Sequence, residues 1–302
     1  MKDYFVFLIY KFLVFLFRIT PNFLLKYILV LLSKIVYTLN KKHRKIVDVN
    51  LDIAFKKQLT ITEKENISCS SYRSLMFNMF EFVENQYLNK EGILGKAEIT
   101  NEKVILDAIK NNRKIIFMTA HYGGWEIALP FMALKYGTIA VVNRKMNNGY
   151  MQEMYAQARD NNNIIMLEKS VAAKGMIKAF KQDQFVAVVI DQHIGVGVEI
   201  DFFDEKVMAT DSTSRMALKF DAVIIPVFAV MNDFRDYTIK IGTPIDVKEV
   251  EFKTEDKIQE LTQMQNSLVE KQIKEKPELW FWQHKRFKHK HDELYKRALD
   301  EK

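Results

Sequence analysis

The sequence predicts an α/β fold: a mostly parallel mixed sheet flanked by helices, with an N-terminal hydrophobic helix that anchors the chain to a membrane. Three observations support this prediction. The first forty residues are strongly apolar, short apolar runs alternate with helical ones from residue 114 onward, and those short runs lack polar alternation. Strands without polar alternation are covered on both faces, and alternation of strands with helices is typical of a parallel sheet between helical layers.

The N-terminal segment contains two apolar runs. The run at 4–17 is interrupted only by Lys11, and the run at 23–39 follows Arg18 and Pro21. A spanning helix needs ~20 apolar residues, whereas the first run reaches only ~21 Å at ~1.5 Å per residue. Lys11 and Arg18 share one side of a helix. The first run therefore predicts a helix in the membrane interface or a short tilted span. The second run could also be a helix of the protein core.

The boundary of the anchor is predicted near residue 40. No small-residue cleavage site follows the first apolar run, so we expect the segment to remain on the mature protein. The basic cluster KKHRK at 41–45 comes directly after the second run. There each cation would contribute ~1 kcal/mol beside anionic lipid. With no internal repeat or Gly/Ser linker beyond it, we predict a hydrophobic anchor at 1–40 and one α/β domain at 41–302.

Composition narrows the class of protein. A chain of 302 residues that is 48% hydrophobic is not disordered. Its net charge of +7 suits nucleic acid, anionic membrane or a phosphorylated substrate, but the sequence lacks the interleaving of aromatic and basic residues typical of nucleic-acid binding. A single cysteine, Cys69, excludes an intramolecular disulfide. The basic run at 284–291 predicts either a solvated face or a binding patch, and WFW at 280–282 either an interfacial belt or core.

The elements of the α/β domain follow in a regular order. Residues 60–92 have a helical period, and strand-like and helical runs alternate after them. The predicted elements are the strand KIIFMTA with the helix WEIALPFMALKY, TIAVVN with YMQEMYAQARD, IIML with AAKGMIKAFKQ, then the strand FVAVVI, the helix TSRMALKF, the strands AVIIPVFAVM and YTIKIG, and a helix at 254–275.

The stretch TAHYGGWEIA at 119–128 contains the candidate catalytic residues. His121 follows the first core strand at its carboxyl end, where ligand sites gather in open α/β sheets. Glu126 in the next helical turn is expected to fold back onto the imidazole and fix its tautomer, leaving the other nitrogen as a general base for a substrate hydroxyl. Gly123 and Gly124 are expected to offer N–H donors to an oxyanion or phosphate. A structural histidine that is only hydrogen-bonded at the end of a strand would show the same sequence pattern. The spacing predicts no metal site.

Over nearly its whole length the chain resembles the bacterial lipid A biosynthesis acyltransferases, the late acyltransferases of the lysophospholipid acyltransferase superfamily. TAHYGGWEIA looks like the family's His-x4-Asp/Glu block, which implies that His121 and Glu126 are the catalytic pair. The other blocks that support the resemblance follow an apolar N-terminus and are NKKHRKIVDVNLDIAF (40–55), VVNRKMNN (141–148), MYAQARDNNNIIML (154–167), VVIDQHIGVGVEIDFF (188–203), MATDSTSRMALKFDAVIIPVF (208–228) and PELWFWQHKRFK (277–288).

The resemblance also implies four supporting or substrate-binding residues. Arg144 and Arg159 stand at characteristic arginines, whose planar fork suits phosphate or an oxyanion; ordinary structural arginines would give the same pattern. Asp191 and Gln192 stand in the family's Asp-Gln-like block, and a buried Asp191 would need a partner such as one of these arginines. The family's second block usually reads Tyr-Arg with a proline nearby, whereas this chain reads VNRKMNN, so the contacts of Arg144 stay open.

The implied activity is transfer of a fatty acyl group from acyl carrier protein to a hydroxyl of a lipid A precursor. It would take place at the cytoplasmic face of the inner membrane, among membrane lipids, with no cofactor and no nucleic acid. The part at 41–302 would then be the acyltransferase domain. Two alternatives remain: an acyltransferase for another phospholipid or glycolipid acceptor, and a non-catalytic membrane-binding protein. The sequence does not specify the acyl chain or the acceptor hydroxyl, nor does it separate acyl carrier protein from coenzyme A as the donor.

Overall fold

The computed structural model describes residues 2–143, 145–168 and 172–300. Its helices are α1 (Lys2–Ile19), α2 (Asn22–Leu39), α3 (Lys41–Ala54), α4 (Ile61–Glu84), α5 (Lys90–Leu94), α6 (Lys103–Lys110), α7 (Trp125–Tyr136), α8 (Gly149–Asn161), α9 (Ala172–Lys181), α10 (Ser212–Phe220), α11 (Lys257–Glu275) and α12 (Lys288–Asp300), with a 3-10 turn at Pro277–Leu279. Its strands are β1 (Ala97–Thr100), β2 (Ile115–Thr119), β3 (Ile139–Asn143), β4 (Ile164–Glu168), β5 (Phe185–Val189), β6 (Val198–Phe202), β7 (Glu205–Ala209), β8 (Val223–Asp233), β9 (Asp236–Ile241) and β10 (Ile245–Asp246).

The strands form one mixed sheet and one hairpin. Within the described residues the sheet order is β1-β9-β8-β2-β5-β3-β4, with β10 paired to β8, and β6 pairs with β7. The five strands from β8 to β4 in this order are parallel neighbours, whereas β9 and β10 run antiparallel to β8. The expectation of a mostly parallel mixed sheet flanked by helices is confirmed.

The central strands are apolar because both of their faces are covered. Residues 115–118 of β2 and 223–229 of β8 are all buried, and full burial of each large aliphatic side chain contributes ~1.5–3 kcal/mol. β2 lies between β5 and β8 and is parallel to both. The carboxyl ends of three strands therefore meet at one edge of the sheet, and the first residues after them lie side by side.

The second apolar run is not a buried core helix. α2 buries Leu25 and Leu29 and packs on α4, where Tyr37 meets Tyr72 edge-on at 5.5 Å between ring centroids, but 17% of its residues are buried. Within the described ranges α2 is the one helix long and apolar enough to cross a membrane, by length and composition alone. The anchor was predicted at 1–40, with membrane contact expected mainly from the first run; by length and composition the second run is the stronger candidate for a span.

Helix α1 docks on the α/β domain instead of standing apart from it. The cations of Lys11 and Arg18 both lie over the Tyr87 ring, 5.7 and 5.8 Å from its centroid, so the expectation that they share one side of a helix is confirmed. Phe7 stacks on Tyr150 of α8 at 5.7 Å. The side of α1 that carries Lys11 and Arg18 thus faces the domain. Its exposed large apolar side chains are Tyr4, Phe5, Val6, Leu8, Ile9, Phe12, Leu13, Phe15 and Ile19.

Candidate active site

The site forms where the parallel strands β2 and β5 end. His121 lies two residues past β2 and Asp191 two residues past β5, and the strand register pairs Thr119 with Val189. Asp191 Oδ1 therefore accepts a hydrogen bond from Nδ1 of the His121 ring at 2.8 Å, and Oδ2 accepts one from the His121 backbone N–H at 2.9 Å. His121 lies at the carboxyl edge of the sheet, as expected from the sequence.

The carboxylate that binds the imidazole differs from the one expected. Glu126 does not fold back onto His121; its Oε2 accepts a hydrogen bond from Nη2 of Arg159 at 3.0 Å. Asp191, which was expected to hold an arginine, holds His121 instead. The physical reason is the sheet: strand register places Asp191 directly beside His121, whereas the buried guanidinium at the end of α8 binds Glu126.

The ionisation of the pair follows from its burial and contacts. Burial alone would lower the pKa of His121, but the charge and hydrogen bond of Asp191, helped by the charge of Glu126, raise it above the ordinary value of 6.5. Burial would raise the pKa of Asp191, but the imidazole and the hydrogen bonds from His121 and Trp280 lower it to about 2. Asp191 is therefore ionised at neutral pH and favours an imidazolium, the state that a general base reaches when it accepts a proton.

The two adjacent glycines are required by packing. Gly123 has a left-handed backbone (φ +57°), and a Cβ there would lie 2.0 Å from the carbonyl oxygen of Ala229; a Cβ at Gly124 would lie 2.5 Å from the Tyr237 ring. Their N–H groups already donate to the main chain, Gly123 to Leu279 at 2.9 Å and Gly124 to Ala229 at 2.7 Å. The expectation that these N–H groups are free for an oxyanion is therefore not met.

Asn78 holds this turn, a role that was not predicted from the sequence. From α4, its Nδ2 donates to the carbonyl oxygen of Gly123 at 2.6 Å and its Oδ1 accepts from the Glu126 N–H at 3.2 Å. Asn78 therefore caps α7, whose own N-cap residue Gly124 has no side chain to do so. The available signal was one amide within the apolar stretch SLMFNMF at 74–80, because a buried amide needs hydrogen-bond partners.

An apolar cavity of about 200 Å³ extends from the polar side chains into the domain. His121, Glu126 and Arg159 line it together, and Arg159 carries the only fixed positive charge among the described lining residues. The cavity thus joins a histidine, an ion pair and an apolar interior. Its apolar walls include Phe117, Ala128, Leu129, Met132, Val141, Ala187 and Val227.

Arg144 and Gln192 were also predicted as site residues. Arg144 lies outside the described residues. The Gln192 side chain is exposed. The main-chain carbonyl oxygen of Gln192 accepts a hydrogen bond from Nη1 of Arg286 at 2.9 Å. Arg286 is fully buried and also donates to Met208 O at 2.7 Å and Asn266 Oδ1 at 3.1 Å. Burial lowers the pKa of Arg286 to about 10, so it remains charged at neutral pH and fixes the loop that follows β5.

The basic run at 284–291 is neither a uniform solvated face nor a free cationic patch. Besides the buried Arg286, two of its three histidines pair with the hairpin β6–β7: Nε2 of His289 lies 2.8 Å from Glu199 and Nε2 of His291 lies 2.9 Å from Glu205. Within the described residues, no group of three or more histidine, cysteine, aspartate or glutamate side chains is placed to hold a metal ion.

The aromatic residues at 280–282 are mainly core. Trp280 and Trp282 are buried, and only Phe281 is partly exposed. Of the two interpretations that the sequence left open, the core packing is therefore observed for both tryptophans.

The chain thus has an α/β fold with a histidine–aspartate pair at the mouth of an apolar cavity. Residues 1–289 match the family described as bacterial lipid A biosynthesis acyltransferase, and the chain belongs to this family. The family expected from the sequence is confirmed, and with it the expectation of an acyltransferase.

Individual relatives agree with the family. The chain is 27% identical to a lipid A biosynthesis acyltransferase of Haemophilus influenzae over 62% of this chain and 60% of that protein. It is 25% identical to the lipid A biosynthesis palmitoleoyltransferase of Escherichia coli over 82% and 79% of the two chains. It is 24% identical to the lipid A biosynthesis lauroyltransferase of Escherichia coli over 85% and 83%.

Proposed function

We propose that the chain is a membrane-associated acyltransferase that moves a fatty acyl group from acyl carrier protein to a hydroxyl of a lipid A precursor, with His121 as general base. The observation that carries the proposal is the His121–Asp191 pair beside an apolar cavity. Family membership supports the lipid A precursor as acceptor. The names of two relatives, a palmitoleoyltransferase and a lauroyltransferase, support a fatty acyl chain as the transferred group.

The proposed chemistry follows from the position of the charges. Asp191 binds Nδ1 of His121, which leaves Nε2 for the acceptor hydroxyl, and the His121 side chain is 24% exposed. As the hydroxyl oxygen bonds to the thioester carbonyl carbon, Nε2 takes the hydroxyl proton. When the carbon–sulfur bond breaks, the imidazolium returns that proton to the departing thiolate. Asp191 stabilises the imidazolium between these two steps.

Arg159 is the proposed partner of the negative charge that develops on the carbonyl oxygen. It is buried beside the cavity, stacks on Tyr155 at 4.8 Å, and uses one N–H for Glu126. A guanidinium has four further N–H donors, and a preorganised cation is worth more in a water-poor site than in bulk water. The proposed role of Glu126 therefore differs from the predicted one: it holds Arg159 and favours the imidazolium through its charge.

The cavity is the proposed site of the donor acyl chain. Its walls are apolar and it begins at the residues that would act on the thioester. Each methylene buried in such a cavity contributes ~0.8 kcal/mol. A chain that fills the cavity therefore binds more tightly than one that leaves part of it empty, and the shape of the cavity selects the length of the acyl group.

Two N-terminal helices support a membrane location, which we propose to be the cytoplasmic face of the inner membrane. α1 and α2 expose many large apolar side chains, and Lys41 and Lys42 are exposed at the start of α3, directly after α2. Contiguous exposed apolar surface is typical of a membrane or partner contact, and cations beside it attract anionic lipid.

Mass spectrometry of lipid A tests the proposed function. Cells that express the chain are expected to add an acyl chain to a fraction of their lipid A, and cells that lack it are expected to accumulate the precursor. Unchanged lipid A with altered phospholipid or glycolipid acylation would favour another acceptor. In a purified assay, transfer from acyl carrier protein but not from coenzyme A is expected; the reverse would contradict the proposed donor.

Deletion of residues 1–21 is expected to release the protein from membranes only in part. The deletion removes α1 but leaves α2 and the cations at 41–45, so the remaining binding is expected to depend more on salt. Pelleting with anionic liposomes at low and high salt measures this, and circular dichroism checks that the truncated chain is folded. If pelleting is unchanged and insensitive to salt, α1 does not contribute to the anchor.

A further inference from the structure

Trp280 makes a contact that the proposed chemistry does not yet use. The side chain is buried, with 2% of its surface exposed, and its Nε1 donates to Oδ2 of Asp191 at 2.8 Å. The same oxygen accepts the backbone N–H of His121 at 2.9 Å. Two neutral donors therefore fix one oxygen of Asp191, and the other oxygen faces the His121 ring.

The segment that carries Trp280 is paired with the turn that carries His121. Tyr122 and Trp280 form an antiparallel bridge, and the Phe281 N–H donates to the His121 carbonyl at 3.0 Å. The Ser71 hydroxyl in α4 donates to the Trp280 carbonyl at 2.7 Å. The backbone of Trp280 is thus held from two sides, so its indole has little freedom to leave Asp191.

We propose that Trp280 is a positioning residue, whose indole N–H holds the Asp191 carboxylate so that its second oxygen meets Nδ1 of His121. This inference rests on the proposed function, because positioning matters only if His121 acts as a base. Without the indole, Asp191 would be held only through His121, by its backbone N–H and its ring, and rotation of the carboxylate about χ2 is soft. The second donor on Oδ2 removes that freedom and leaves Oδ1 aligned.

Trp280→Phe leaves in place the other titratable groups around His121 and Asp191. Glu126 acts on His121 from α7, and the segment after Trp280 contributes His284 and Arg286, with His193 facing both of these from the loop after β5. Burial lowers the pKa of His284 to about 4, so it is neutral where the enzyme works. A change in the titration of His121 therefore reports on Asp191 and its donors.

Trp280→Phe keeps a large aromatic side chain and removes the N–H. Because Asp191 raises the pKa of His121, a carboxylate that is less well aligned with Nδ1 is expected to lower the acid-limb midpoint of kcat/KM by about half a unit. Because the carboxylate is less well held, kcat is expected to fall by about tenfold with little change in KM. Asp191→Asn, which removes the negative charge altogether, is expected to shift the same midpoint further in the same direction.

Trp282→Phe is the matched control. Trp282 is equally buried, packs edge-on against Trp280 at 4.6 Å between ring centroids, and donates its N–H to the Pro277 carbonyl at 2.7 Å. Trp282→Phe loses a buried indole N–H of the same kind but leaves the contacts of Asp191 intact. It is therefore expected to melt at a temperature similar to that of Trp280→Phe and to keep the wild-type acid-limb midpoint of kcat/KM. The proposal is overturned if the two variants shift the midpoint equally, or if Trp280→Phe does not shift it.

A measurement without turnover separates this proposal from the proposed function. In protein labelled with ¹⁵N-histidine, the His121 signals are those lost in His121→Ala, and their titration gives the pKa directly. A downward shift in Trp280→Phe alone supports the positioning role, whereas an upward shift would reflect only the lost N–H dipole and would reject it. An unchanged titration rejects it, even if the enzyme proves active. If His121→Ala retains full transfer, the proposed base fails, whatever the titration shows.

Discussion

The His121→Ala protein is expected to lose transfer activity by ~10²–10⁴-fold in kcat, the usual contribution of a general base. The acceptor hydroxyl would have to lose its proton to water. Asp191 is buried and still binds Trp280, and Glu126 binds Arg159, so neither carboxylate is placed to replace the imidazole. Purified protein with acyl carrier protein thioester and a lipid A precursor gives the rate. Glu126→Gln is expected to lose less, because the imidazole and Asp191 remain.

His289→Ala serves as the control for this substitution. His289 pairs with Glu199 on the hairpin, so its variant removes a histidine of comparable exposure from outside the site and is expected to keep near wild-type kcat. Circular dichroism establishes that both variants are folded. Wild-type transfer by a folded His121→Ala protein would contradict the mechanism and favour the non-catalytic alternative.

The sheet was largely predictable because its strands and helices are local patterns. Runs such as IIFMT and VVIDQ show where buried strands run and end, and the strand–helix order that they predict is observed. The hairpin β6–β7 and helix α12 were not predicted. The side of each element that is buried depends on a distant helix. The hairpin lies against α11, where the Gln263 side chain donates to the Asp201 main-chain carbonyl, and α12 lies against α3.

The site was predictable only in the parts that depend on chain order. That His121 ends a strand is visible in the sequence, but its nearest carboxylate is not, because Asp191 is 70 residues away and becomes a neighbour only through the pairing of β2 with β5. The expected Glu126 contact was therefore wrong. Arg286 was placed among surface cations for the same reason: its acceptors come from three distant segments that only the fold brings together.

Ala128→Leu is expected to change which acyl chain the enzyme transfers. Ala128 lines the cavity from α7, and leucine adds three carbons to a space of about 200 Å³. At ~0.8 kcal/mol per methylene, losing room for about three costs ~2.4 kcal/mol, or ~50-fold in kcat/KM for the preferred donor. Donors shorter by about three carbons should lose less, because they need less of the remaining space.

Ala133→Leu separates this effect from overpacking. Ala133 lies in the same helix and is fully buried, but it does not line the cavity. Added carbons there are expected to cost stability, typically ~1–3 kcal/mol, and to leave the order of preference among donors unchanged. A series of acyl carrier protein thioesters of increasing length measures that order for both variants. If folded Ala128→Leu keeps the wild-type preference, the acyl chain does not occupy this cavity. If Ala133→Leu shifts the preference as much, the shift comes from strain in α7 and not from the loss of space.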